Sequence, residues 1–176
     1  MNSLIISAIG SDRTGIVSEL TEIITKHGGN IEESRMIRLG SDFTIIMLVK
    51  VDPKWEESLV VVLRGIKGLF ITTKSTKSDT VISNENYQIS LNGADNEGIM
   101  NVLSKYLTEK SINILDMETY ISNAPITGTP LFNLMAITTI PEGTNLTDIQ
   151  SDLNQISIKL GVEISVHQSQ YGVAAV

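Results

Sequence analysis

The 176-residue sequence contains no cysteine, which excludes a disulfide framework, a thiol nucleophile and every thiolate-bound metal. Aromatic residues make up only 5% of the chain. Its single tryptophan, Trp55, falls in the first turn of an amphipathic segment, where it reads as a core or interface residue rather than a stacking platform. No apolar run approaches the length of a membrane span. The opening Met1-Asn2-Ser3 lacks the basic stretch of a secretion signal, so a cytoplasmic location is expected. Basic residues are scarce in one half: only Lys105, Lys110 and Lys159 of the 13 Lys/Arg lie beyond residue 83, against ten of the 20 acidic groups. The net charge of −7 therefore belongs to the second half, while the first sums to zero. Phosphate backbones demand clustered cations, so direct DNA or RNA binding is disfavoured. The neutral first half is the better candidate for touching a protein partner.

What is present is a repeat. Ile6-Ser7 returns as Ile89-Ser90, Gly10 as Gly93, Asp12 as Asp95, Gly15-Ile16 as Gly98-Ile99, Leu20 as Leu103 and Asn30-Ile31 as Asn113-Ile114, each 83 positions on. That period exceeds a solenoid unit and matches one small domain. Two domains are expected, residues 1–80 and 85–176, joined by the polar stretch Lys77 to Asn86, with Tyr171 to Val176 expected to fray.

Each half reads as strand–helix–strand–strand–helix–strand. In the first, Leu4 to Ile9 has strand length. Ile16, Leu20, Ile23, Ile24 and His27 recur at three and four as one helical stripe, and Gly28-Gly29 ends it. Ile31 to Leu39 and Phe43 to Val51 flank a tight Gly40-Ser41-Asp42 turn. Trp55, Leu59, Val62, Leu63 and Ile66 form a second stripe, and Leu69 to Thr76 a last strand. The second half follows with strands Tyr87 to Asn92, Asn113 to Ser122, Leu131 to Thr139 and Val162 to Ser169. Its helices are expected from Ile99 and through Ile149, ending at Gly161. Aligning Phe43 with Phe132 places a six-residue insertion in the hairpin loop Asn123 to Pro130. This order predicts an α+β chain of two ferredoxin-like βαββαβ domains, antiparallel four-stranded sheets with their helices on one face.

The strongest chemical pattern is the turn Asp12-Arg13-Thr14-Gly15-Ile16, which opens the first helix, together with Asn30-Ile31 at the next strand. Asp95, Gly98, Ile99, Asn113 and Ile114 repeat it. A helix N-terminus offers unpaired N–H groups and partial positive charge to a carboxylate, and a glycine lets a ligand approach the backbone. Asp12 or Asp95, with the amide carbonyl of Asn30 or Asn113, could accept from an ammonium. Donors for a carboxylate beside acceptors for an ammonium describe a small amino acid. A structural reading stands beside this one, in which the aspartates only cap helices, the glycines only permit close packing and the asparagines only tolerate left-handed turns. No nucleophile with its base, phosphate loop or dinucleotide fingerprint is present, so the chain reads as non-enzymatic. His27 and His167 lack a carboxylate cluster and do not make a metal site; no cofactor is expected. Glu56-Glu57 read as solvated residues favoured by a helix dipole.

With those residues in view, the sequence resembles the ACT domain family over about residues 3–76 and 86–170. The tandem arrangement, Asp12-Arg13-Thr14-Gly15-Ile16-Val17 and the loop Gly128-Thr129-Pro130-Leu131-Phe132 are similar to the glycine cleavage system transcriptional repressor family. The resemblance implies a regulator that senses glycine or a related small amino acid and acts by binding another transcription factor; a homodimer is expected. The ligand loop carries over to Asp12 through Ile16 and to Asn30-Ile31. The second half departs from it, with Asn96-Glu97 where the first has Arg13-Thr14, which removes a cation and adds an anion. The alternative is a regulatory subunit of an amino-acid or folate-metabolising enzyme.

Overall fold

The computed structural model describes residues 1–77 and 85–169. Contacts divide the chain into two compact units, with the division inside residues 78–84. Most of the expected linker and the tail from Tyr171 lie outside the described residues.

The first unit runs β1 (Asn2–Ser11), α1 (Ile16–Lys26), β2 (Asn30–Leu39), β3 (Asp42–Val51), α2 (Pro53–Arg64) and β4 (Leu69–Thr76). The second runs β5 (Asn86–Ala94), α3 (Ile99–Glu109), β6 (Asn113–Asn123), β7 (Pro130–Thr139), α4 (Leu146–Leu160) and β8 (Val162–Gln168). The two sheets share one topology, β2-β3-β1-β4 and β6-β7-β5-β8, antiparallel throughout. These are two ferredoxin-like βαββαβ folds.

Period-two burial in the strands sets which face meets the helices. Leu4, Ile6 and Ala8 of β1 and Phe43, Ile45, Met47, Val49 and Val51 of β3 are buried, and pack with Ile16, Leu20 and Ile24 of α1 and Leu59 and Leu63 of α2. The second core repeats the scheme, with Ile89 and Leu91 against Ile99, Leu103 and Leu107 of α3 and Ile149 and Leu153 of α4. Burying a side chain of this size contributes about 1.5–3 kcal/mol. The helix-free face of each sheet takes the alternate residues.

Several expectations change in detail. The first hairpin turn holds two residues, Gly40 and Ser41, because Asp42 already pairs with Leu39. Trp55 is half-exposed and belongs to no core cluster, and Val62 is also exposed. The helix rotates Leu59, Leu63 and the partly buried Val60 inward instead. Glu56 is not simply solvated: Asn2 Nδ2 donates to it at 2.7 Å and Ser75 Oγ at 3.0 Å, tying α2 to the ends of β1 and β4. The second hairpin loop is internally bonded, with Ala124 N donating to Thr129 O and Gly128 N to Ala124 O, both at 2.9 Å.

Candidate functional site

Where β1 ends, the Asp12 amide donates to the Ser41 carbonyl at 3.0 Å, which fastens the turn to the β2–β3 hairpin. Asp95 N does the same to Pro130 O at 3.3 Å in the second unit. The chain then enters α1 through Gly15, at φ 90° in the left-handed region. A Cβ built there would meet nothing within 4 Å, so the demand for glycine is conformational rather than steric. Gly98, at φ 86°, enters α3 in the same way.

The four helices of the described residues differ in how they begin. Asp52 caps α2 by accepting from Lys54 N at 3.1 Å, and Asn145 caps α4 by accepting from Thr147 N at 3.0 Å. Helices α1 and α3 have no side-chain cap. A glycine cap supplies no acceptor, so the first-turn N–H groups keep their donors and their partial positive charge. The capping role open to Asp12 and Asp95 on sequence grounds is therefore not used.

Around the start of α1 lies a cleft of about 470 Å³, lined by Asp12, Arg13, Gly15, Ile16, Val17, Ser18, Met36, Ile37, Arg38 and Phe43. Its polar rim is made of two ion pairs. Arg38 Nε approaches Asp12 Oδ2 at 3.4 Å, and Arg13 pairs with Glu19 in the first turn of the helix. The lining thus carries two cations, the Asp12 carboxylate and the uncapped amides, with Glu19 outside it. It can offer a zwitterion a partner for each end. Ile16 is a buried core anchor as well as part of the lining, and Thr14 is an exposed turn residue outside it.

Asn30 and Ile31 are elsewhere. Asn30 pairs with Lys50, which lies opposite Ser3, while the turn follows Ser11. Eight strand residues separate the two ends, about 26 Å. Ile31 packs against the core, and a register shift follows it, as one follows Ile114. The repeated Asn-Ile therefore marks a strand start with a bulge. The residue set into the first bulge, Glu32, meets Lys50 Nζ at 2.8 Å. Asn113 and Ile114 occupy the same far end of the second sheet.

Arg38, Met36 and Phe43 escaped the motif search because they come from the hairpin. The signal was in the register. A two-residue turn at Gly40-Ser41 puts Arg38 opposite Phe43, and Phe43 lies opposite Gly10, two residues before Asp12. In the second unit the same row holds Ile121, Phe132 and Gly93. Both arginines are thus replaced there, Arg13 by Asn96 and Arg38 by Ile121, and Glu97 adds an anion. Asp95, Gly98 and Ile99 keep the backbone of the turn without its cations.

Other polar clusters have different characters. A hollow of about 660 Å³ lies on the helix-free face of the second sheet, with Glu118, Tyr120, Asn133 and Glu163 among its lining. It is larger than the turn cleft, but its charged groups are carboxylates, so it offers nothing to a carboxylate ligand. On the other side of that unit, Lys110 Nζ lies 2.7 Å from Asp152 and Tyr106 Oη donates to Asp152 at 3.4 Å, clamping α3 to α4. The ammonium holds the Asp152 carboxyl below its ordinary range. Burial, then the Asp152 charge, pushes the Tyr106 phenol up to about 12. His27 Nδ1 donates to the Ile23 carbonyl at 2.8 Å, a helix-end role. Among the described residues no cluster of three or more His, Asp or Glu could hold a metal ion. No helix among them is long and apolar enough to cross a membrane.

Residues 2–67 match the ACT domain family model. A stretch of 46 residues is 50% identical to the glycine cleavage system transcriptional repressor of Escherichia coli (strain K12), covering 26% of this chain and 24% of that protein. The matched stretch thus spans about a quarter of the curated repressor's length. Over nearly the whole chain, the structure is similar to that of an unknown protein from Galdieria sulphuraria, at TM-score 0.81 and 29% identity, covering 96% of this chain and 98% of the other. A crystal structure provisionally assigned as a glycine cleavage system transcriptional repressor shares the fold at TM-score 0.70 and 22% identity, covering 97% and 98%. The family match lies in the first unit, and the second repeats its topology strand for strand. The first unit is thus similar to the ACT domain family and, over 46 residues of the chain, to the glycine cleavage system transcriptional repressor, while the second unit shares the first one's topology.

Proposed function

We propose that this protein is a non-enzymatic regulator that binds a small, glycine-like amino acid at the start of α1 and modulates transcription through a protein partner. The observation that carries this reading is the uncapped, glycine-entered helix start beside Asp12 and Arg38, where α2 and α4 by contrast have side-chain caps. The ligand's ammonium meets the Asp12 carboxylate. Its carboxylate meets the first-turn amides and the guanidinium of Arg38. Each end of the zwitterion thus takes over one half of an existing ion pair, so no charge is left unpaired on binding.

The ligand acts by favouring the arrangement in which the hairpin end and the helix start are held together, which changes how a protein partner engages the surface. A partner-mediated route agrees with the charge distribution, because the acidic second half repels phosphate backbones. The similarity to curated repressors supports the regulatory class.

The experiment is thermal unfolding of the full chain with each amino acid in turn. A ligand at a hundred times its dissociation constant adds about 2.7 kcal/mol. Stabilisation by glycine or a near relative, lost in Asp12→Asn, is the expected result. No shift with any amino acid overturns the reading.

A further inference from the structure

The cleft at the start of α1 has an apolar part that the charged ends of a ligand leave untouched. Ile16 and Phe43, 2% and 6% exposed, form its floor, and Val17 and Met36, 36% and 62% exposed, stand at its rim. At about 470 Å³ it falls within the about 300–1,000 Å³ of small-molecule sites, where apolar side chains line the space and a few polar groups fix orientation. An ammonium, a carboxylate and the single CH₂ between them do not reach that rim.

Strand register sets where the apolar wall stands relative to the charges. Met36 and Arg38 lie opposite Ile45 and Phe43, both buried on the helix-bearing face of the sheet, so the two side chains share that face. Two residues of strand separate them, about 6.6 Å. A carboxylate held between Arg38 and the first-turn amides therefore has Met36 within the reach of a short side chain. In the second unit the same two positions hold Thr119 and Ile121, opposite Leu134 and Phe132. The thioether and the guanidinium are thus present together in one unit and lost together in the other.

We propose that the site selects amino acids with a short aliphatic side chain, alanine through valine, over glycine itself and over those with charged side chains. Resting on the reading of this cleft as an amino-acid site, the preference concerns the one part of the ligand that the charges do not fix. Asp12 and Arg38 take the ammonium and the carboxylate, which leaves Arg13 as the remaining charge of the lining, and Arg13 is paired with Glu19. A basic side chain finds no second carboxylate in the lining. An acidic one has to displace Glu19 from Arg13. An aliphatic one meets Val17 and Met36 and takes apolar surface out of water on both sides. The flexible thioether of Met36 adapts to side chains of different shape.

Each fully buried CH₂ group strengthens binding about fourfold. Valine has three carbons more than glycine, so it gains about sixtyfold when they are wholly covered and about eightfold when they are half covered. The exposure of Met36 points to the lower end of that range.

The test is calorimetric titration of the full chain with glycine, alanine, valine, aspartate and lysine at one pH and ionic strength. Valine should bind tighter than alanine and alanine tighter than glycine, with at least about eightfold between valine and glycine. Aspartate and lysine should bind no tighter than glycine. Met36→Thr, which copies the second unit at an exposed edge-strand position, should cut the valine-to-glycine ratio to below about threefold, while Met36→Leu should hold it above about fivefold. Glycine binding as tightly as valine, or aspartate or lysine binding tightest, overturns the side-chain preference and leaves the amino-acid site standing. A Met36→Thr protein that keeps the full preference also overturns it. If none of the five binds, the site itself falls, and the preference with it.

Discussion

Arg38 Nε lies 3.4 Å from Asp12 Oδ2, so a residue at the end of β2 closes over the turn that starts α1. The pair joins two segments 26 positions apart in sequence, and both side chains remain solvent-accessible. An exposed pair of this kind contributes about 0–1 kcal/mol. Its significance is as a ready-made pair of opposite charges beside uncapped amides.

Replacing Arg38 by Met should accordingly move the ligand-free unfolding temperature little, by an amount equivalent to at most about 1 kcal/mol. The same variant should lose most of the stabilisation by the amino acid. Calorimetric titration of both proteins separates the two effects. An unchanged affinity in the variant would remove Arg38 from the site.

The left-handed positions make a matched pair of opposite predictions. Gly15→Ala forces a Cβ into φ 90° and should cost about 1–2 kcal/mol, although nothing crowds the new atom. Ser111, at φ 56°, stands where the first unit has Gly28, at φ 66°. Ser111→Gly should therefore stabilise the second unit by about 1 kcal/mol. Chemical denaturation measures both.

Leu20 and Leu103 are equivalent positions, each buried in its own unit's core. Each change to alanine should cost about 2–5 kcal/mol. Because the cores are separate, Leu20→Ala should lower the transition of the first unit and leave that of the second in place, with Leu103→Ala doing the reverse. Hydrogen exchange followed by mass spectrometry assigns each loss to its unit.

Alkaline pH should act on the second unit through Tyr106. Its phenol is raised from the ordinary 10.0 to about 12, first by burial and then by Asp152. The folded state thus holds that proton more tightly than the unfolded one. The stabilisation is complete below pH 10 and is lost as pH rises toward 12. Lys110, raised by its bond to Asp152, loses its proton in the same direction and adds to the effect. Asp152 works at the other end: its lowered carboxyl contributes stability above its ordinary 3.8, and that contribution is lost as pH falls through the folded value. Tyr106→Phe should flatten the alkaline limb of a stability–pH profile, and the late-titrating tyrosinate absorbance should shrink to the part due to Tyr87, which its bond to Glu85 also raises.

Much of the architecture was legible because it is written in local periods. Helical spacing of Ile16, Leu20 and Ile24 and period-two burial in β1 and β3 name their own inward faces. The 83-residue repeat then supplied each element twice, and the six-residue insertion was located to the hairpin loop where β6 and β7 join. Trp55 and Val62 lie outside the core because a helical stripe of five residues is wider than the strip of α2 that the sheet covers.

The candidate site was only half legible. The turn and its glycine are local features, and residue order alone identifies them. Sequence also determined the contrast between the units, since the loss of both arginines and the placing of the −7 are facts of composition. Three things waited for the tertiary structure: that Asp12 leaves α1 uncapped, that Arg38 and Phe43 reach the turn, and that Asn30 lies about 26 Å away. All three depend on strand pairing, a non-local choice of register in which one residue of slip exchanges the two faces of a strand. A motif records which residues neighbour one another along the chain, but only the paired sheet decides which of them share an end.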